Sequence, residues 1–292
     1  MGTRDTALAL GLEDGVHWEL ASCKENNHKG GVMTAQLKSH TVGRTLVLTL
    51  SDPEHRNALG PGIYGAGVEA LNAADSSTEI DSVVITGEGD HFSAGANLNR
   101  LNANRAQPPS TQTQSIEAFH NWLESIRSFP KPVIAAVEGA AVGAGFSLCL
   151  MCDFMVVSET AVFASSYSNI GLSPDGGSSW HLSRLLPRPL ATRLLMLGEK
   201  IGASELHSFG LIHSIVQPST ALHHALVLSE QLNSRACNVN ASIKELINAS
   251  YTQGLTEQMQ QEREHFVRNL YHPNAGIGIE SFLNKHAPQF KK

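Results

Sequence analysis

The 292-residue chain is poor in charge, in aromatic residues and in cysteine, and each shortage excludes a class of protein. Charged residues make up 16% of it, the formal net charge is −6, and Lys and Arg are scattered without a long basic run. Binding nucleic acid calls for a clustered basic face, so that class is set aside. No apolar stretch approaches the ~20 residues that cross a bilayer. The opening "MGTRDTALALGLEDGVHWEL" lacks the basic-then-apolar order of a secretory signal, and Glu13, Asp14 and Glu19 count against a mitochondrial transit peptide. The closing "QFKK" is not a peroxisomal address. The expectation is a cytoplasmic protein with no nucleic-acid or membrane partner.

The four cysteines (Cys23, Cys149, Cys152 and Cys237) are too few to form a disulfide framework in a chain this long. Cys149 and Cys152 form a CxxC inside the apolar stretch "GFSLCLMCDFMVV", but no second pair completes a zinc site, which favours buried free thiols. Fourteen histidines are present without an HxxxH or HExxH spacing. No metal is expected.

What is present is a soluble composition, 41% hydrophobic, arranged as alternating strands and helices. Residues 1–32, ending in "KENNHKGG", show no sustained periodicity and read as a poorly ordered extension, with Met33 a candidate natural start. "GRTLVLTL" is strand-like and "ALGPGIYGAGVEALNAAD" helical, and "DSVVITGEGD" is a short apolar strand closed by glycine. "NRAQPPSTQTQS", Asn104 to Ser115, reads as a polar loop of the kind that covers a site. A helix over "IEAFHNWLESIRSF", the strand "PVIAAVEG", the helix "GAGFSLCLM" and the strand "DFMVVSE" follow. Beyond about residue 185 the pattern is mostly helical, apart from a strand at "HSIVQP". The expectation is an α/β core over residues 33–222, roughly 190 residues, followed by a helical segment over residues 223–292.

Two glycine-rich turns stand out, "HFSAGANL" (His91 to Leu98) and "EGAAVGAGFSL" (Glu138 to Leu148). Small residues let backbone N–H groups approach a ligand, and two such turns facing each other would hold a developing oxyanion. Close helix–strand packing needs the same small residues, so each turn alone decides little. Neither is a phosphate loop. Asp175, in "NIGLSPDGGSSWHL", stands just before a helix and is either an ordinary helix cap or a chemical group.

The two turns and the Asp175 stretch, taken in order and spacing from about Thr41 onward, resemble the enoyl-CoA hydratase/isomerase (crotonase) family. The resemblance implies a spiral of ββα units with a helical C-terminal segment, assembled as a homotrimer or dimer of trimers. It implies an acyl-CoA thioester substrate and no separate cofactor, since coenzyme A is part of the substrate. It puts the oxyanion donors at Ala94 and Ala144.

Hydratases in the family use two glutamates. The matching positions here are Ser147 and Tyr167, so efficient addition of water is not expected. The same absence argues against a dienoyl-CoA isomerase. Asp175 matches the single carboxylate of the Δ3–Δ2 enoyl-CoA isomerases and of the ring isomerase of phenylacetyl-CoA breakdown, in which one base performs a 1,3-proton shift. Helix-capping remains open beside that role. The resemblance places substrate and coenzyme A contacts at Arg56, Asn57, Ala58, Ala96, Asn97, Leu98, Gly143, Tyr167, Phe282 and Lys285. For Arg56 a solvated turn is an equal alternative, and for Phe282 and Lys285 packing plus a solvated charge is the commoner one. Weak hydration, hydrolysis or dehalogenation on the same thioester platform is the alternative activity. An RNA-binding homologue would need a Lys/Arg-rich helix that this chain lacks.

Overall fold

A computed structural model describes residues 35–291. The extension over residues 1–32 lies outside the described residues. The chain begins with an antiparallel hairpin, β1 (Gln36–Val42) and β2 (Thr45–Ser51), followed by α1 (Pro61–Ser76). Next come β3 (Ser82–Gly87), α2 (Leu98–Asn104), α3 (Pro109–Ser128), β4 (Val133–Val137), β5 (Ala140–Val142) and α4 (Ala144–Met151). β6 (Phe154–Ser158), β7 (Val162–Ala164), α5 (Ser178–Leu185), α6 (Arg188–Met196), β8 (Lys200–Gly202), α7 (Ala203–Ser208) and β9 (Ser214–Val216) follow. Four helices close the chain: α8 (Ala221–Asn233), α9 (Cys237–Ser250), α10 (Leu255–Leu270) and α11 (Pro273–Leu283).

The strands form a six-stranded sheet, ordered β1-β2-β3-β4-β6-β9, and a three-stranded sheet, ordered β5-β7-β8. Beyond the β1–β2 hairpin the large sheet is parallel. A repeated strand–strand–helix unit produces both sheets. β4 and β6 run in the large sheet, their short successors β5 and β7 pair in the small one, and a helix follows each pair. A parallel sheet is covered on both faces, so its strands are apolar throughout. Val47, Val84, Ile134, Ala136 and Val156 point to one face and pack on Ala221 and Ala225 of α8. Leu48, Leu50, Val83, Ile85, Val133 and Ala135 alternate to the other face, against Ile63, Leu71, Trp122 and Ile126 of α1 and α3.

Three sequence expectations change. The segment from Asn104 to Ser115 is not one loop, because Asn104 closes α2 and α3 begins at Pro109. Pro109 is tolerated there because the first helical residue needs no N–H partner. The boundary at residue 222 falls inside α8, which covers a face of the sheet and belongs to the core; the Ser229 and Thr45 hydroxyls lie 2.8 Å apart across that contact. The later helices are fastened to the core too. On α9, Lys244 Nζ bonds Asp153 at 2.8 Å and the Ile126 carbonyl at 3.0 Å. Finally, β1, β5, β7 and β8 carry no clear pattern in the sequence. β1 is a polar edge strand, and the others have three residues each.

Candidate active site

The large sheet delivers its loops to one region, beginning with the turn after β2. Asn57 sits there with φ 56°, a left-handed conformation that Asn tolerates better than most residues. Its side chain is fully buried and fully used. Oδ1 accepts the Asp52 N–H at 3.0 Å, while Nδ2 donates to the carbonyls of Glu88 and His91 at 2.9 and 2.7 Å. Asn57 therefore fastens one loop to the next, and its fully buried side chain presents no surface to a ligand, unlike the contact role expected for it. Arg56 beside it is exposed, and its carbonyl accepts the Ala94 N–H at 2.8 Å. That bond overturns Ala94 as an oxyanion donor, since a donor committed within the fold is not offered to a ligand.

The two glycine turns do face each other. Ser93 pairs with Ala141 as an isolated parallel bridge, and the Val142 N–H donates to the Ser93 carbonyl at 2.9 Å. Gly95 lies at φ +85°, and a Cβ there would stand 2.6 Å from the Val142 carbonyl oxygen and 3.2 Å from the Ala144 nitrogen. Only glycine lets the turns approach this closely. Ala58 is buried, and its neighbour Leu59 donates its N–H to the Gly95 carbonyl at 2.7 Å. Gly143, the N-cap of α4, gives its N–H to the Ala164 carbonyl at 2.8 Å. Among the described residues, neither the Ala96 nor the Ala144 N–H donates to a protein acceptor. The Ala144 amide opens α4, where unpaired donors and the helix field favour negative charge.

Asn97, placed by the resemblance among the substrate contacts, caps α2 by accepting the Arg100 N–H at 3.1 Å. Leu98 next to it is 57% exposed.

Asp175 does not cap α5. That helix starts after Gly177, and no side chain caps it. The Asp175 carboxylate instead accepts the Tyr167 hydroxyl at 2.6 Å. Its own carbonyl accepts the Ser147 hydroxyl at 3.2 Å, and the next amide, Gly176 N–H, donates to His120 Nε2 at 3.3 Å. Gly176 has φ +65°, and a Cβ there would lie 2.6 Å from the Phe119 ring and 3.0 Å from Ser147 Cβ. The loop is thus pinned from both sides while its carboxylate stays half-buried.

The Tyr167 ring lies 3.8 Å from where a Gly143 side chain would begin, so one buried residue links the start of α4 to Asp175. Burial first, and then the negative charge of Asp175, push the Tyr167 phenol far above its ordinary value, keeping it a protonated donor. Tyr64 and Phe119 pack in the core behind this loop with ring centroids 5.1 Å apart, and burial also raises Tyr64, whose phenol faces Arg100.

The structure gathers Ala58, Ala96, Gly143, Ala144, Tyr167 and Asp175 into one chain of neighbours. Phe282, 84% exposed, lies on α11, which packs on α10, and Lys285 follows just past the end of that helix. Trp180 is on the surface with the Arg184 guanidinium 4.1 Å from its ring centre, and Trp122 is in the core. His120 and Tyr64 were not anticipated, since a lone His or Tyr in a helical pattern carries no signal of a partner more than 50 residues away.

Residues 41–292 match the family described as enoyl-CoA hydratase/isomerase. The chain is 33% identical over 253 residues to the 1,2-epoxyphenylacetyl-CoA isomerase of Escherichia coli (strain K12), covering 86% of this chain and 97% of that protein. It is also 33% identical over 248 residues to the 2,3-dehydroadipyl-CoA hydratase of the same organism, covering 85% and 95%. The crystal structure of an enoyl-CoA hydratase from Polaromonas sp. JS666 superposes with a TM-score of 0.87 at 60% identity, over 87% of this chain and 99% of that one.

Proposed function

Because the chain belongs to the enoyl-CoA hydratase/isomerase family, we propose that it shifts a double bond in an acyl-CoA thioester, with Asp175 as the proton shuttle. The substrate is a Δ3 enoyl-CoA or an acyl group of the phenylacetate pathway. The observation that carries this reading is the Asp175 carboxylate, held at 2.6 Å by Tyr167 where a hydratase would need a second acid.

The chemistry follows from the free donors. The thioester oxygen sits between the Ala96 and Ala144 N–H groups, which stabilise negative charge as it develops there. The C2 proton then becomes acidic enough for a carboxylate to remove. Asp175 takes it, the electron pair delocalises through C1 onto the thioester oxygen and through the C3–C4 double bond onto C4, and the same carboxyl returns the proton to C4. One double bond moves from C3–C4 to C2–C3, and no water or redox partner is consumed. Ser147 and Tyr167 are both hydroxyls, so neither supplies the second carboxylate that would position water. The same reading takes the apolar side chains exposed on α9 to α11, among them Ile247, Met259 and Phe266, as the surface of a homotrimer or dimer of trimers.

The test is a substrate panel followed by the absorbance of the conjugated thioester. Wild type converts 3-enoyl-CoA to 2-enoyl-CoA, and Asp175→Asn does not. Rapid hydration of 2-enoyl-CoA by a wild type that leaves 3-enoyl-CoA untouched overturns the isomerase reading.

A further inference from the structure

Tyr167 occupies the position where a hydratase carries an acid, yet its hydroxyl points at the one carboxylate of the site. We infer that Tyr167 is a positioning residue that commits Oδ1 of Asp175 to a fixed hydrogen bond, so that Oδ2 alone carries the proton between substrate carbons. The inference rests on the reading of Asp175 as the base.

Three observations support it. The Tyr167–Asp175 bond is 2.6 Å, the length of a strong bond between a hydroxyl and an ionised oxygen. Tyr167 is 9% exposed, with its ring 3.8 Å from where a Gly143 side chain would begin at the start of α4, so burial restricts its swing away from Asp175. The backbone of Asp175 is held separately, by Ser147 on its carbonyl and by His120 on the next amide. Backbone bonds place Cα but leave the carboxylate free to turn. Only Tyr167 restrains that rotation among the described residues.

The raised phenol supports the direction of donation, because a tyrosine that keeps its proton is a donor throughout the working pH range. A 1,3-shift asks the same oxygen to reach two carbons in turn, and a carboxylate spinning between two equivalent oxygens would meet that geometry only part of the time.

The experiment compares wild type, Asp175→Asn, Tyr167→Phe and Tyr167→3-fluorotyrosine in two assays: isomerisation of 3-enoyl-CoA, and exchange of the α-proton of saturated butyryl-CoA with deuterium oxide. The exchange needs enolate formation alone, so it reports on the base even if isomerisation is not the natural reaction. Tyr167→Phe lowers kcat by about 10- to 100-fold with little change in KM, as expected for a lost hydrogen bond to a charged group. It moves the acid limb of the kcat/KM profile upward, because the lost donor bonds the ionised carboxylate more strongly than the protonated one. Tyr167→3-fluorotyrosine, a stronger donor of almost the same shape, moves the limb the opposite way. It keeps the test valid if Tyr167→Phe folds poorly.

An acid limb that stays in place in Tyr167→Phe and in the fluorinated enzyme overturns the inference, whatever happens to kcat. If wild type exchanges the α-proton through Asp175 but does not isomerise, the isomerase reading fails while the exchange profiles still decide the role of Tyr167. If Asp175→Asn exchanges at the wild-type rate, the base is elsewhere and both fall.

Discussion

Asn57 and Asp175 both extend from tight loops beside the two glycine turns, and each carries an oxygen that accepts a hydrogen bond. Asn57 has spent both ends of its amide on the neighbouring backbone and has no exposed surface. Asp175 has one partner for one oxygen, and its backbone, not its carboxylate, holds the loop in place. The same contrast separates Ala94, whose N–H is bonded to Arg56, from Ala96, whose N–H has no protein acceptor among the described residues. A polar group with all its partners inside the fold contributes to stability. A group with an unused lone pair or hydrogen, placed where other unused groups converge, is available for a ligand.

The sharpest test of this contrast pairs substitutions at the two residues. Asp175→Asn keeps the shape and an acceptor for Tyr167, so its melting temperature should stay within about 2 °C of wild type. Its isomerase rate should fall by about 10³-fold, measured by the absorbance assay. Asn57→Ala should show the reverse. It strands the Asp52 N–H and two carbonyls and leaves Ala in a left-handed conformation, at about 3 kcal/mol, or roughly 6–12 °C in melting temperature. Its folded fraction should keep the wild-type KM for acyl-CoA. A raised KM with unchanged stability would return Asn57 to the coenzyme A site.

A smaller effect distinguishes the two regions by pH. On α5, behind the Asp175 loop, the His181 ring lies 3.7 Å from where a Gly177 side chain would start. Burial, aided by Arg184 and Arg127, lowers its pKa to about 4 from the ordinary 6.5. Its folded-state pKa is below the unfolded one, so the unfolded chain binds more protons between these values and stability falls as pH drops from 6.5 towards 4. Allowing for partial exposure, the loss is on the order of 2 kcal/mol. Urea midpoints for His181→Gln at pH 7 and pH 4.5 should differ by less than those of wild type.

The smallest expected effect is at Arg56, which is exposed. Arg56→Ala should raise KM for acyl-CoA about threefold at low salt, with kcat unchanged, and the difference should fade at high salt. An effect that persists in high salt would mean that the arginine makes a more specific bond than a screened attraction.

Much of the architecture was legible in the chain. The apolar runs at β2, β3, β4 and β6 and the helical spacing of α1 and α3 are local patterns that burial on both sides of a parallel sheet requires. The short strands β5 and β7 were not legible, because three residues carry no period. The break between α2 and α3 was hidden in a polar, proline-bearing stretch where composition suggests a loop but Pro109 begins a helix.

The site divides along similar lines. The sequence, read through its resemblance to the family, determined that the positions of the two hydratase glutamates hold Ser147 and Tyr167, that Asp175 is the acid remaining, and that two small-residue turns precede it. Only the tertiary structure decided which of the neighbouring amides is free, that Asn57 is a fastening, and that Asp175 leaves the capping of α5 to the backbone. The reason is physical. Whether a polar group is available depends on its hydrogen-bond partners, and here those partners lie 28 residues away for Asp175 and Ser147, and 34 for Asn57 and His91. A sequence pattern describes neighbours along the chain, whereas the accounting of donors and acceptors closes only in space.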